Sequence, residues 1–254
     1  MSTIVKRGYS PDDQKEFGDQ SVEKLYKAGR DLQYLLNQGY NIKGASTFVG
    51  NHYLFSERQR LALVRAVSSN ESIKMRKDKE IKDIPYGSMV NIDGFNTIIT
   101  LEVALSGTLL LRCADGTIRD LAALRGTYRL IDKTETAIML IGKMLEKNNV
   151  SKAVFYLDAP VSNSGRLKQR IMELLNRFSF EVQVEVIHNV DAVLEKLDNV
   201  ITSDAIILDK CISWINLNER IIEENIGDYP YVDFSSYWIV QQKEDADAVR
   251  KERV

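Results

Sequence analysis

The sequence predicts an α/β protein built on a central parallel sheet and preceded by a small all-α domain. From residue 89 to about residue 224, hydrophobic runs of strand length alternate with amphipathic helical segments. This alternation is typical of parallel strands joined by right-handed helical crossovers. Before residue 70, by contrast, apolar residues recur only at helical spacing. The 254 residues are enough for one large domain or two modest ones.

Three helices are expected in the N-terminal helical domain, which is assigned to residues 1–70. Ser10, followed by proline and two acids, is a typical helix start, and Gly39 lies just past the last apolar position of that helix. A short helix is predicted from residue 42 to residue 49. Ser56 is the expected N-cap of the third helix.

A charged linker is predicted over residues 71–86, where acidic and basic residues are mixed and Pro85 ends the run. The segment is compatible with a solvated helix end or with a loose tether. The α/β domain is assigned to residues 87–242, with its first strand at residues 89–92, and a charged C-terminal tail to residues 243–254.

The remaining elements of the α/β domain alternate in type. After the first strand, the predicted elements are a helix at 95–105, a hairpin from 108 to about 118, a long helix from Thr134, and then strands and helices in turn at 152–157, 166–178, 182–187, 190–197, 199–202, 204–210, 212–216 and 218–224. With the first strand central, the next two strands of the parallel sheet are expected on one side of it. The last two are expected on the other side.

Three strands of this sheet end in an aspartate, namely Asp93, Asp158 and Asp204. In the predicted strand order they meet at the carboxyl edge of the sheet, where ligands bind in such folds. Crowded carboxylates stay ionised together only if a cation compensates their charge. The sequence therefore predicts that these aspartates hold Mg²⁺ or Mn²⁺ and are catalytic. The structural alternative is that each aspartate only caps the helix after its strand.

Two other acidic residues lie close in sequence to these aspartates. Glu102 on the first helix of the α/β domain is a candidate fourth carboxylate, and solvation of its side chain is the alternative. Asp209 follows Asp204 by five residues, about 140° round a helix, so it is expected to face away.

Polar residues near the aspartates are the predicted substrate contacts. Asn96 lies close enough to Asp93 to position a ligand or to brace the turn. The loop with Ser162, Asn163 and Ser164 begins at the same sheet edge as Asp158, so it is expected to donate hydrogen bonds to a phosphate, although these residues are also good turn formers.

Basic residues suggest where a nucleic-acid backbone would lie. Arg119, Arg125 and Arg129 would steady its phosphates, or would pair with local acids instead. Residues 1–86 carry 15 Lys and Arg against 11 Asp and Glu, and the remainder carries 19 against 25. This charge distribution is compatible with a nucleic-acid-binding first domain attached to a metal-binding second domain. It is equally compatible with ordinary solvated helices.

The composition argues against several other classes of protein. The chain has two cysteines, Cys113 and Cys211, and two histidines, without metal-ligand spacing, so no structural zinc site is expected. No apolar run approaches the roughly 20 residues that span a bilayer, and residues 1–7 lack the apolar core of a secretory signal. We therefore expect a cytoplasmic protein without membrane contacts. Self-association into a homo-oligomer is compatible with the sequence.

Short motifs in the chain resemble known nucleases. Asp93-Gly94-Phe95-Asn96 after a hydrophobic strand, and residues 202–205 before a short helix, resemble the PIN-like nuclease superfamily. Residues 157–160 look like the middle acidic position of its flap-nuclease relatives. The chain as a whole resembles a prokaryotic family of uncharacterised proteins in which a helical module precedes a PIN-like domain. That likeness rests on residues 38–41, 48–51, 125–129 and 158–165.

The resemblance implies a three-layer α/β/α fold and metal-dependent cleavage of RNA or DNA. The leading expectation is thus a metal-dependent nuclease that acts on RNA rather than DNA. The alternative is a PIN-like protein that binds nucleic acid or nucleotides without cleaving, since the superfamily includes such members. The chain departs from the superfamily in two respects: its early-helix acid has no assigned position here, and residues 162–165 are polar rather than acidic.

Overall fold

The computed structural model of the protein describes residues 5–122 and 126–235. The predicted tail at 243–254 and the last residues of the predicted α/β domain lie outside these ranges. Within them, no helix is both long and apolar enough to cross a bilayer. The N-terminal helices are α1 (Asp13–Glu16), α2 (Asp19–Asn37), α3 (Ile42–His52), α4 (Glu57–Ala66) and α5 (Asn70–Lys79).

The starts of these helices are set by side-chain capping and by one glycine. Ser56 Oγ accepts a hydrogen bond from Gln59 N at 3.1 Å while the Gln59 side chain accepts one from Ser56 N, so the predicted N-cap of α4 is confirmed. The first predicted helix is divided in two. Gly18 has an extended backbone with ψ 167° and caps α2, a break that the continuous apolar spacing conceals.

The segment predicted as a linker is largely helical. Residues 70–79 form α5, whose N-cap Ser69 accepts a hydrogen bond from Ser72 N at 3.1 Å. Arg76 on this helix is 2% exposed and binds Asp115 and Asp209 of the α/β region. The sequence alone was compatible with either a helix end or a loose tether here, because the acids that neutralise Arg76 are distant in sequence.

The α/β region contains fourteen elements in the described ranges. In chain order they are β1 (Met89–Asp93), α6 (Gly94–Leu105), β2 (Leu110–Arg112), β3 (Ile118–Asp120), α7 (Thr134–Lys147), β4 (Lys152–Asp158), α8 (Ser164–Leu175), β5 (Glu181–Ile187), α9 (Val190–Leu194), β6 (Val200–Ile201), α10 (Ala205–Lys210), β7 (Trp214–Ile215), α11 (Leu217–Asn225) and β8 (Tyr231–Asp233).

Five strands form the parallel sheet, in the order β5-β4-β1-β6-β7. The predicted order, with the first strand central, is therefore confirmed. Alternate residues of a strand face opposite sides of the sheet. Ile201 and Ile215 accordingly pack into the core with α6, α7, α8 and α11, whereas Val200 and Trp214 pack with α9 and α10. Helices thus cover both faces of the sheet.

A second sheet, in the order β3-β2-β8, joins the helical region to the rest of the protein. Leu111 of β2 and Val232 of β8 share one core cluster with Leu25 and Leu63 of the N-terminal helices, and Phe234, directly after β8, belongs to the same cluster. Strand β8 was not predicted, because three residues at 231–233 give too short a pattern to identify. The hydrophobic core therefore crosses the boundary that the sequence suggested near residues 71–86.

Gly94, at the start of α6, is required by close packing against β4. A Cβ at this position would lie 2.6 Å from Leu157 Cδ2 and 3.0 Å from the Tyr156 carbonyl oxygen. We expect Gly94→Ala to lower the free energy of unfolding by about 1–3 kcal/mol, because the strand or the helix must shift. Urea unfolding checks this. Gly165→Ala in the first turn of α8 is the control, since nothing lies within 4 Å of its added Cβ, and an equal loss in both variants would contradict the packing argument.

Candidate functional site

A cavity of about 680 Å³ is lined both by the carboxyl edge of the parallel sheet and by the N-terminal helices. The sheet edge contributes four carboxylates, from Asp93, Asp158, Asp191 and Asp204. The three aspartates that the sequence singled out therefore face one cavity. Asp191 was not predicted. It lies in the first turn of α9, just after β5, so it too follows the carboxyl end of a strand of the parallel sheet.

Asp93 is the most buried of the four carboxylates. It ends β1, where its Oδ2 accepts a hydrogen bond from Thr202 Oγ1 at 2.8 Å and its Oδ1 accepts one from Asn96 N at 3.4 Å. Burial raises the pKa of Asp93 to about 7, the charge of Asp204 acts in the same direction, and the bond from Thr202 opposes the rise. Asp93 is therefore close to half-protonated at neutral pH when no cation is near.

Asp204 has two tasks at the start of α10. Its Oδ1 caps the helix by accepting hydrogen bonds from Ile206 N at 2.7 Å and Ile207 N at 3.3 Å. The same carboxyl group lines the cavity and raises the pKa of both Asp93 and Asp191. The alternative prediction that Asp204 caps the helix after its strand is thus confirmed, and its carboxyl group also faces the cavity.

Asp158 and Asp191 complete the acidic side of the cavity. Burial raises the pKa of Asp158, and a hydrogen bond from Val190 N opposes this rise. Burial also raises the pKa of Asp191, with further contributions from the charges of Asp204 and Asp158. Three of the four carboxyl groups are therefore harder to ionise than usual, chiefly because burial disfavours the charged form, and neighbouring carboxylates add to the rise for Asp93 and Asp191.

The four aspartates fit a hydrated divalent cation better than a closed cage of protein ligands. Among the residues that the structure describes, no three His, Cys, Asp or Glu side chains are grouped as ligands of one metal ion. Mg²⁺ does not need such a cage, because it keeps several waters and binds through one or two carboxylates plus phosphate oxygens. The charge of Asp204 raises the pKa of both Asp93 and Asp191, and a bound cation would offset this repulsion.

Asn96 and Arg119 hold the strand ends together. Asn96 lines the cavity, and its Oδ1 accepts hydrogen bonds from Ser203 N at 2.8 Å and from Ser203 Oγ at 2.9 Å. Arg119 is 5% exposed, and its guanidinium donates to the Ser203 carbonyl at 2.5 Å, to Asp115 at 2.6 Å and to the Arg65 carbonyl. The guanidinium of Arg119 is thus used by acceptors inside the protein. To contact a phosphate, it would have to break one of these hydrogen bonds.

The polar loop after β4 is directed at the backbone of Tyr128 instead of the cavity. Ser162 Oγ accepts a hydrogen bond from Tyr128 N at 3.0 Å, and Asn163 Nδ2 donates to the Tyr128 carbonyl at 2.6 Å. Neither these residues nor Ser164 line the cavity. Arg129 is exposed and also lies outside the lining. The remaining predicted contact, Arg125, lies outside the described residues.

Two acidic residues have surroundings that differ from those expected. Asp209 lines the cavity instead of facing away from it, because Arg76 of α5 reaches its Oδ1 at 2.6 Å and the cavity extends along this helix. Glu102 is fully buried and is neither solvated nor part of the cavity. Its carboxylate accepts hydrogen bonds from Arg7 Nε at 2.9 Å, from Tyr128 Oη at 2.7 Å and from Thr134 Oγ1.

The helical region contributes both polar and apolar residues to the lining, the polar ones including Ser68, Ser69 and Ser72. We call the apolar residues the helical wall, which consists of Leu36, Tyr40, Ile42, Val64 and Val67. The helical wall was not predicted, because its residues are distributed over three segments that have no chemical motif. Arg65 lies beside the wall and also lines the cavity.

Comparisons with known proteins divide the chain at α5. Residues 81–220 match the family described as "Domain of unknown function (DUF5616)", and residues 24–79 match "Protein of unknown function (DUF434)". The chain is 40% identical over 186 residues to "Uncharacterized protein MJ0935" of Methanocaldococcus jannaschii. That match covers 72% of this chain and 88% of the archaeal protein. No solved structure matches the chain significantly.

Both matched ranges contribute to the cavity. The four aspartates lie within residues 81–220, and the helical wall lies within residues 24–79. The first range covers more than half of the 254 residues. The chain therefore belongs to the family described as "Domain of unknown function (DUF5616)".

Proposed function

We propose that the protein is a metal-dependent phosphodiesterase with a PIN-like fold, which cleaves nucleic acid and prefers RNA to DNA. The observation that carries the proposal is the convergence of Asp93, Asp158, Asp191 and Asp204 on one cavity at the carboxyl edge of the parallel sheet. Carboxylates at this position are the ligands that Mg²⁺ and Mn²⁺ favour. The preference for RNA rests on the resemblance to PIN-like nucleases.

The aspartates of the cavity would hold the metal ion in two ways, through an oriented carboxylate and through their combined negative charge. When bound, Mg²⁺ or Mn²⁺ supplies a water of lowered pKa and positive charge for the phosphate. Both oxygens of Asp93 are oriented, because Thr202 and the Asn96 backbone each donate a hydrogen bond to one of them. Asp158, Asp191 and Asp204 surround it with negative charge that draws a cation into the cavity.

A non-catalytic protein that binds nucleic acid or nucleotides is the second candidate. It is favoured by one specific observation: the described carboxylates are not grouped as three or more ligands of one ion. In that case the cavity would bind a phosphate through a loosely held cation and would not position water for attack. Cleavage assays separate the two candidates.

The test is cleavage of mixed-sequence RNA, and of single-stranded DNA, by the full chain in Mn²⁺. We expect cleavage that a chelator abolishes, and a loss of at least about tenfold in Asp204→Asn, because removing a group that supports the metal weakens it by 10–100-fold. Asparagine caps helices as well as aspartate does, so α10 should persist. Asp83→Asn, an exposed aspartate outside the cavity, is the matched control.

The outcome assigns the protein to one class. RNA binding without cleavage in any divalent ion would support the non-catalytic candidate. Equal cleavage by wild type and Asp204→Asn, with Asp83→Asn also unchanged, would show that the nuclease activity does not use this cavity. Circular dichroism on each variant verifies that the fold is kept.

A further inference from the structure

We infer that the helical wall is a base-binding surface, on which Tyr40 stacks against the base of one unpaired nucleotide while the adjoining phosphate faces the aspartates. The inference rests on the proposed function, because it names the form of substrate that the same cavity accepts. That form is a single strand and not a duplex.

The cavity combines two kinds of chemistry. The sheet edge contributes aspartates, and the helical wall contributes an aromatic ring and aliphatic side chains. Tyr40 is 62% exposed and Ile42 is 37% exposed. Exposed apolar groups that line a cavity together with charged groups are typical of a ligand site. A nucleotide has this same division into a flat base and a charged phosphate.

The position of Tyr40 is fixed by the backbone. Tyr40 N donates to the Leu35 carbonyl at 3.1 Å, and the preceding Gly39 makes the turn with φ +84°. The following Asn41 caps α3 by accepting a hydrogen bond from Gly44 N at 2.8 Å. Tyr40 therefore lies at a fixed corner between α2 and α3, and binding of a base does not have to order this stretch of backbone.

Arg65 places a positive charge in the cavity beside the helical wall. Its side chain is 31% exposed, and its Nη1 donates hydrogen bonds to the Asp120 carboxylate at 3.1 Å and to the Asp120 carbonyl. The other arginines that line the cavity, Arg76 and Arg119, are only 2% and 5% exposed and are engaged with buried acids. Of the three, Arg65 is thus the guanidinium available to a phosphate.

The size of the cavity and the geometry of stacking select an unpaired nucleotide. About 680 Å³ is in the range of sites for one small ligand. Inside a duplex, both faces of a base are covered by its neighbours, so the base offers no face to Tyr40 unless it is first unstacked at a cost. Stacking on an aromatic ring is tolerant of sequence, and we therefore expect little preference among bases.

The test is a binding titration of the full chain by fluorescence anisotropy, with a labelled eight-nucleotide oligouridine and with a labelled blunt RNA duplex. Ca²⁺ replaces Mg²⁺ to limit cleavage, and a gel verifies that the probe is intact. We expect Tyr40→Ala to weaken binding of the single strand by about fivefold or more, which is the effect of losing one stacked base. Tyr40→Phe keeps the ring and should bind within about twofold of wild type.

Tyr34→Ala is the matched control. Tyr34 is 65% exposed, close to the value for Tyr40, but lies outside the cavity lining. We expect this variant to bind like wild type. Equal losses in both alanine variants, duplex binding as tight as single-strand binding, or no binding of the single strand by wild type would each overturn the inference.

Failure of this inference differs from failure of the proposed function. If Asp204→Asn cleaves like wild type while Tyr40→Ala alone loses single-strand binding, the base-binding surface stands and the catalytic proposal fails. If Asp204→Asn loses cleavage and Tyr40→Ala binds like wild type, the catalytic proposal stands and the surface is not used.

Discussion

Replacing Asp115 with asparagine is expected to lower the free energy of unfolding by about 3–5 kcal/mol, the usual effect of breaking a buried ion pair. Asp115 is 2% exposed, and its Oδ2 accepts hydrogen bonds from Arg76 Nη1 at 2.7 Å and Arg119 Nη2 at 2.6 Å. The amide retains the shape of the carboxylate but removes the carboxylate partner of Arg119 and, among the residues described, leaves Arg76 paired with Asp209 alone. The loss should loosen α5 from the β2–β3 hairpin.

Urea unfolding at neutral pH measures this effect. Asp132→Asn is the control, because Asp132 pairs with Lys133 at the surface and its side chain is 50% exposed. Such exposed pairs contribute about 1 kcal/mol or less to stability. If Asp115→Asn changed the free energy of unfolding no more than Asp132→Asn does, the buried network would not stabilise the fold.

The same network makes stability depend on acidity. Burial disfavours ionisation of Asp115, but the charges of Arg119 and Arg76 outweigh it and lower the pKa to about 2, below the usual 3.8. A lowered pKa stabilises the folded state above pH 3.8, and this contribution is lost as the pH falls towards 2. The difference between wild type and Asp115→Asn should therefore shrink in acid.

Asp93→Asn is expected to reduce metal-dependent cleavage by at least about 100-fold, since even residues that only support a ligand contribute 10–100-fold. Asp93 is the most buried of the four sheet-edge aspartates, and its two oxygens are already oriented by Thr202 and Asn96. The substitution keeps the shape and removes the charge. Single-turnover cleavage of RNA in Mn²⁺ measures the loss, with Asp83→Asn as the control, and activity within tenfold of wild type would contradict the assignment.

The raised pKa of Asp93 provides a second readout that does not need catalysis. Because its pKa in the folded state is about 7 instead of 3.8, its contribution to stability is full below pH 3.8 and is lost as the pH rises through about 7. The difference corresponds to at most about 4 kcal/mol. Without divalent ions, the free energy of unfolding of the wild type should therefore fall more between pH 5 and pH 8 than that of Asp93→Asn. Urea unfolding at the two pH values measures both, and an equal fall in the two proteins would argue against a buried charge.

Added Mn²⁺ should restore stability to wild type at pH 8 more than at pH 5, because a bound cation requires ionised carboxylates. The same addition should have less effect on Asp93→Asn. Thermal unfolding at both pH values provides this measurement.

The strand order was the most predictable part of the fold. Strands and helices alternate from β1 onwards, and right-handed crossovers leave few arrangements, so β1 could be placed at the centre of the sheet from the sequence. That placement brought Asp93, Asp158 and Asp204 to one edge. Short elements were less predictable, because β8 and the break at Gly18 have too few residues to give a pattern.

Directions of side chains could not be predicted from spacing. Ser162 and Asn163 follow β4 as expected, but their hydrogen-bonding groups are used by the backbone of Tyr128. Asp209 was expected to face away, and Arg76 holds it at the cavity. In each case the partner is distant in sequence, so no local pattern reports it.

The sequence by itself determined the order of the strands and the placement of aspartates at their ends, because both follow from short-range periodicity and chain connectivity. Only the tertiary structure decided that the helical region closes over these aspartates and gives the cavity an apolar wall with Tyr40. The physical reason is that this contact depends on a shared core, in which Leu25 and Leu63 pack with Leu111 and Phe234. Such packing between distant segments is set by shape and burial, and a single sequence carries no periodic signal for it.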